Sequence, residues 1–191
     1  HLKAVSFLSY LIEDWESGAI DGETWSILDS ASGTPSVSSA HSKVGNHALK
    51  MVDHVGYASP KIQSAQTLGL DKAEVSFWYM NEEPRSRGAC YIYVGEEGIE
   101  SNYVARLSVD SDLRMGFIPG SGGEFNIITT ITRGQWYLIS IIYDSTQQNI
   151  KLYIDGEQKF DGVCANPDFI NRIMFSASSN HSEGPTYYID G

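Results

Sequence analysis

Apolar residues recur at every second position along most of this 191-residue chain. Tyr103, Ala105, Leu107 and Val109 alternate with Val104, Arg106 and Ser108, and Leu113, Met115 and Phe117 alternate with Arg114 and Gly116. A period of two sends alternate side chains to opposite faces, so each run reads as half-buried antiparallel strand. Asp110-Ser111-Asp112 joins the two runs as a hairpin turn. The runs 136–143 and 149–154 predict a second hairpin across residues 144–148, and Asp155-Gly156 directly after them carries the signal of a tight third turn. Further strands are predicted at 10–16, 24–28, 47–53, 56–62, 74–80, 90–94, 124–130, 158–162, 170–176 and 186–190. No stretch beyond two turns carries a helical stripe, although residues 62–72 have room for one short turn of helix.

Short strands at this density predict an all-β fold, an antiparallel β-sandwich of the jelly-roll kind. With no internal repeat, linker or charge block, residues 1–191 read as a single domain. The balance of 13 Lys and Arg against 24 Asp and Glu leaves a net charge of −11. That charge opposes a nucleic-acid partner and an anionic membrane surface. Nothing approaches the roughly 18 consecutive apolar residues of a membrane helix, so no membrane insertion is expected. Cys90 and Cys164 are too few for a disulfide framework, and their spacing leaves open either one bridge or two buried thiols. The opening residues lack the layout of a secretory signal, and the chain stops at Asp190-Gly191 straight after a strand. Both ends are those expected of a domain excised from a larger, secreted or cell-surface protein.

Three stretches carry a resemblance. They are Trp15-Glu16-Ser17-Gly18 near the start, Gly45-Asn46-His47-Ala48-Leu49-Lys50 in the first third, and the closing Tyr187-Tyr188-Ile189-Asp190. Together they resemble the β-jelly-roll carbohydrate-binding modules of secreted glycan-degrading enzymes. The middle of the chain, from Val75-Ser76-Phe77-Trp78-Tyr79 through Trp136-Tyr137 to Leu152-Tyr153-Ile154-Asp155-Gly156, is similar to the concanavalin/laminin-G-like sandwich. The resemblance implies a structural calcium tying the opening segment to the last strand. Glu16 and Asp190 would supply carboxylates, the loop from Lys43 to Asn46 backbone oxygen, and Asp14 a further ligand. Calcium takes six to eight oxygens of this kind.

A glycan site needs aromatic faces for sugar C–H surfaces and polar side chains for hydroxyls. Alternation places Tyr91 and Tyr93 opposite Cys90, Ile92 and Val94, and turns Arg106 and Arg114 away from the apolar sides of their strands. If these strands are neighbours, the four form one polar–aromatic face, with Trp78 or Tyr79 at its border. The arginines point to an acidic sugar, since a guanidinium meets a carboxylate or sulfate in fork geometry. Trp136, before a strongly apolar run, is expected in the core. The Glu-x-Asp-x-Glu run of retaining β-glucanases on this fold is absent. The nearest stretch, Glu13-Asp14-Trp15-Glu16, would place Glu13 and Glu16 on opposite faces of a strand. His41, His47, His54 and His181 show no metal-ligand spacing. The leading expectation is a non-catalytic polysaccharide-binding module with a structural calcium. The alternatives are an adhesion or structural domain of a cell surface or virus particle, and a polysaccharide lyase or hydrolase.

Overall fold

A computed structural model describes residues 15–29, 33–53, 60–65, 68–83, 88–95, 103–165, 170–179 and 185–191, with backbone alone at 29, 83, 88–93 and 178–179. Fourteen strands are present among them: β1 (Trp25–Asp29), β2 (Ser36–Ser38), β3 (Ala48–Val52), β4 (Lys61–Ser64), β5 (Lys72–Glu83), β6 (Gly88–Gly95), β7 (Tyr103–Val109), β8 (Arg114–Ile118), β9 (Asn126–Thr130), β10 (Trp136–Asp144), β11 (Asn149–Ile154), β12 (Glu157–Val163), β13 (Arg172–Ser179) and β14 (Thr186–Asp190). They form two seven-stranded sheets, sheet A in the order β1-β4-β13-β6-β7-β8-β9 and sheet B in the order β12-β11-β10-β5-β14-β3-β2. Every pairing is antiparallel. This is the all-β sandwich that the alternation predicts.

The core lies between the sheets. Phe77, Tyr79, Ile139, Ile141, Leu152 and Ile189 come from sheet B, and Ile62, Leu107, Val109, Phe117 and Phe175 from sheet A, all of them buried. A chain of rings crosses it. Trp15 lies 5.3 Å from Trp25, Trp25 5.8 Å from Phe175, and Phe175 5.6 Å edge-on from Phe77. Such tilted and edge-to-face contacts suit the ring quadrupoles and add to the burial of each ring. The Asp155-Gly156 turn has φ of 52° and 79° at its two central residues, the positive pair that a two-residue type I′ hairpin requires.

Four expectations change. The described residues of 62–72 hold no helical turn: residues 62–64 belong to β4, and Leu70 pairs with Ile170 as an isolated antiparallel bridge. The predicted strand at 10–16 falls mostly outside the described residues, and its described end is a turn in which the Gly18 amide donates to the Trp15 carbonyl. Ser36–Ser38 pairs with β3 as a strand that its length and polarity concealed. Trp136 does not join the intersheet core; it packs on a small cluster of Ala48, Met80 and Tyr188 on the outer face of sheet B. The period-two run from 136 made either face available to it. Cys164 is buried, its thiol donating to the Val104 carbonyl at 3.5 Å, and the side chain of Cys90 lies outside what is described.

Two predictions follow from this packing. Phe117, fully buried and 5.2 Å from Phe160, fills space that its neighbours cannot close. Phe117→Ala is expected to cost about 3–5 kcal/mol, seen as a lower denaturant midpoint at unchanged slope. At the far end of the β5–β10 pair, Asp144 accepts from Lys72 Nζ and from Thr146, and these bonds hold its carboxyl down at about 2. A depressed carboxylate stabilises the fold above its unfolded value of 3.8, and that contribution disappears as pH falls toward 2. Asp144→Asn is therefore expected to lower stability by up to about 1 kcal/mol at pH 7, with the gap to the parent closing between pH 4 and pH 2 in thermal melts.

Candidate functional site

The outer face of sheet A is built by the register of its central strands. Gln63, Met174, Tyr93, Arg106 and Ile118 stand opposite one another across β4, β13, β6, β7 and β8. The next row along the strands is Lys61, Ser176, Tyr91, Ser108 and Gly116. The residues between the rows, such as Ile62, Phe175, Leu107 and Phe117, fill the core, so Gln63, Met174, Arg106, Ile118, Lys61, Ser176 and Ser108 point away from it. Several outward side chains are nevertheless recessed: Gln63 is 8%, Arg172 9%, Met174 6% and Ser176 3% exposed. Arg172 donates from Nη1 to the Ser64 carbonyl at 2.6 Å, and Arg106 is half-buried.

Two aromatic rings join this face by routes that the period-two reading does not contain. A register shift between Val94 and Gly95 places Tyr103 against Met174 and Ile118, on the outer side, instead of in the core with Ala105 and Leu107. Bulges of this kind re-aim side chains, and no local residue pattern marked this one. Phe125 folds back over β8. A Cβ at Gly116 would lie 2.0 Å from its Cζ, so only glycine leaves room for the ring there. Phe125 remains 52% exposed, an aromatic surface on the outer face beside the exposed Ile127. The available signal was the glycine at an outward strand position, which often marks close approach of another group.

The predicted face is therefore assembled in part. Tyr91 and Tyr93 occupy adjacent rows, and Tyr93 lies directly opposite Arg106. Arg114 shares the outward register, but its guanidinium is held by the hairpin turn. Its Nε and Nη2 each reach Asp110 Oδ2 at 2.8 Å, and Nη2 reaches Asp112 at 3.3 Å. Trp78 does not border the face. It lies in β5 of sheet B, between core residues Phe77 and Tyr79 and so on the outer side, with Lys43 Nζ 4.5 Å above its ring. A strand apolar on both sides gave no means of choosing its sheet or its face.

The residues expected to hold calcium form a clamp at the opposite sheet. Glu16 Oε1 accepts from the amides of Asn46 at 2.8 Å and His47 at 2.9 Å, and Asn46 Nδ2 donates to Oε2 at 3.4 Å. Those amide bonds, His47 first and then Asn46, hold the Glu16 carboxyl below its ordinary value. Asp190, 1% exposed, accepts at Oδ2 from the amides of Lys43 at 2.6 Å and Val44 at 2.7 Å. One loop is thus gripped at both ends by carboxylates from the opening segment and the last strand. It turns amides rather than carbonyls toward them. Among the described residues Asp190 Oδ1 is buried without a hydrogen-bond partner, and no group of three or more His, Cys, Asp or Glu could hold a metal. These donors alone do not fit calcium, which takes six to eight oxygens. Asp14 lies outside the described residues.

The fold has known counterparts. The profile of the concanavalin A-like lectin/glucanase superfamily matches residues 57–191, and the chain belongs to that superfamily. A search of curated protein sequences finds no match. Among solved structures, a sialidase aligns over 93% of this chain with a TM-score of 0.71 and 18% identity, and the chain spans 18% of that protein's length. A family 16 endo-glucanase of Bacteroides ovatus aligns over 92% of this chain and 96% of its own, with a TM-score of 0.64 and 12% identity. The carbohydrate-binding module CBM66 from Bacillus subtilis aligns over 88% and 92%, with a TM-score of 0.55 and 12% identity. At these identities the likeness is one of fold, shared by binding modules and by glycan hydrolases alike.

The clamp generates a prediction. Asp190→Ala leaves two amides without their acceptor, and is expected to cost about 3 kcal/mol, counting each hydrogen bond to a charged group at about 1.5 kcal/mol. Thermal melts in calcium and again in chelator check it. An equal loss in both assigns the effect to the amides alone, whereas a loss confined to calcium gives Asp190 Oδ1 to an ion.

Proposed function

We propose that this domain is a non-catalytic carbohydrate-binding module that holds a polysaccharide across the outer face of sheet A. The observation that carries the reading is the composition of that recessed face. Phe125 offers exposed aromatic surface and Tyr103 a recessed ring, while Arg106, Ser108 and the recessed Gln63 bring hydrogen-bonding groups to the same side. Sugars bind by this combination of ring contact and directed polar groups.

Two further points support the reading. Strands β4, β13, β6, β7, β8 and β9 contain no Asp or Glu. Glycosidases flank the scissile bond with a carboxylate pair about 5–10 Å apart, and these strands supply neither member. The guanidinium groups of Arg106 and Arg172 on this side of the sheet favour an anionic polysaccharide carrying uronate or sulfate groups, which they meet in fork geometry. The net charge of −11 opposes such a ligand only at long range, because charges beyond about 8 Å are screened at physiological salt. An extracellular or cell-surface setting, as one part of a larger chain, is the context in which such a module works.

Affinity electrophoresis through gels containing neutral or acidic polysaccharides tests the proposal. The parent protein is expected to be retarded by an acidic polysaccharide. Replacing Arg106 and Phe125 by alanine together should weaken retention at least about tenfold, with the melting temperature nearly kept. Arg114→Ala should leave retention intact, since its guanidinium serves the hairpin. Full retention by the Arg106/Phe125 double variant would put the ligand elsewhere. New reducing ends or unsaturated products in the gel eluate would replace the binding module with an enzyme.

A further inference from the structure

A second site lies on the outer face of sheet B, independent of the face described above. There a cavity of about 650 Å³ opens among Thr34, Ser36, Lys50, Val52, Glu82 and Thr186. Register builds its floor: Ser36 pairs with Lys50, and Val52 with Thr186, all on the side away from the core residues Leu49, Met51 and Tyr187. Its wall is fixed by Gly33, where a Cβ would lie 1.9 Å from the Val52 carbonyl oxygen, so the chain there lies tight on β3.

The polar groups of this pocket are held in place before any ligand arrives. Glu82 Oε1 takes a hydrogen bond from His41 Nε2 at 2.9 Å, and the Tyr188 hydroxyl donates to the same carboxylate. Burial alone pushes Glu82 up, but these two bonds, with the fields of His41 and Lys50, outweigh it and keep the group ionised. Burial beside Glu82 in turn pushes the Tyr188 hydroxyl up to about 12, so it stays a donor at every physiological pH. The Lys50 ammonium sits 5.7 Å from the centre of the Tyr188 ring and shares its side of the sheet with Glu82.

Among the described residues one anion, Glu82, and one cation, Lys50, therefore face the cavity together, with the hydroxyls of Thr34, Ser36 and Thr186 and the apolar Val52. A charged ligand would meet an opposing group whichever sign it carried. A polyol meets complementary partners throughout: its hydroxyls donate to the carboxylate, accept from the ammonium and exchange with Thr34, Ser36 and Thr186, while a C–H face rests on Val52. The cavity opens to solvent, and its volume admits one or two pyranose rings. We propose that this pocket is a second sugar site, which takes an uncharged monosaccharide or disaccharide unit of a glycan.

The test is an amide-detected NMR titration of the whole chain with the methyl glycosides of glucose, galactose, mannose and N-acetylglucosamine, each to about 50 mM. At least one glycoside is expected to move the amides of Thr34, Ser36, Lys50 and Thr186, saturating in the millimolar range typical of single sugars. Lys50→Met keeps the aliphatic stem over Tyr188 and should weaken that binding about tenfold, and Glu82→Gln should do the same. Arg106→Ala, on the other sheet, should change nothing, so failure here and failure of the sheet A face remain separate results. Four glycosides that leave these amides unmoved would overturn the proposal, as would binding indifferent to Lys50→Met. So would glycine moving them in place of the sugars, because a zwitterion would then be the ligand.

Discussion

The burial of one face of each sheet against the other is the constraint on which the rest of this molecule depends. The ring contacts from Trp15 through Trp25 and Phe175 to Phe77 cross from sheet A to sheet B, and each fully buried aromatic contributes roughly 2–3 kcal/mol by area. A one-residue slip of any central strand would turn such a side chain outward and bring its polar neighbour into the core. Register is therefore set by the core, and the outer faces inherit it. Arg106 stands opposite Tyr93 because Leu107 must stand opposite Ile92 and Phe117. Nothing on the outer face has to hold itself in position.

A second constraint acts at the ends of the chain. Asp190 closes β14, yet its side chain receives the amides of Lys43 and Val44, and Glu16 receives those of Asn46 and His47. Glu16 and Asp190, 174 positions apart in sequence, thereby meet on one short loop. Loop closure over such a separation costs only a little more entropy than over a short one, so a few charge-assisted hydrogen bonds are enough to hold it. The same loop leads into β3, which carries Lys50 and Val52 to the sheet B pocket. The clamp thus fixes the strand that forms the pocket floor.

The strands were legible in the chain because a period of two is a direct image of which side faces the core. Of the fourteen, those with alternating or continuous apolar runs were visible, and Ser36–Ser38, with one apolar residue, was not. The candidate face was legible only where alternation is unbroken. Tyr93 and Arg106 could be paired from their parity, but Tyr103 could not, since the bulge at Val94/Gly95 reverses parity at that end of β7. Trp78 shows a different limit. Its strand is apolar on both sides, because its outer side also meets packed groups, among them the Lys43 stem. Arg114 was placed on the correct face, but its bonds to Asp110 and Asp112 depend on the conformation of the hairpin, where Leu113 adopts a φ of 61°. Partners of a long side chain lie beyond what strand parity encodes.

The two outer faces differ in chemistry, and the sandwich keeps them apart. The strands of sheet A beyond β1 carry arginine and no carboxylate, whereas the pocket on sheet B sets Glu82 against Lys50. Packed sheets stand about 10 Å from each other, and side chains on both outer faces add to that distance. This separation exceeds the screening length at physiological salt, and the core between is close-packed, with the apolar side chains of both sheets filling it. Charge on one face therefore has little purchase on the other. Substitutions on the two sides should combine additively in free energy, as distant sites without shared partners do. Under the proposed reading, such a domain would meet two chemically different parts of a glycan-bearing surface, an anionic stretch on one side and a neutral unit on the other, without either contact altering the next.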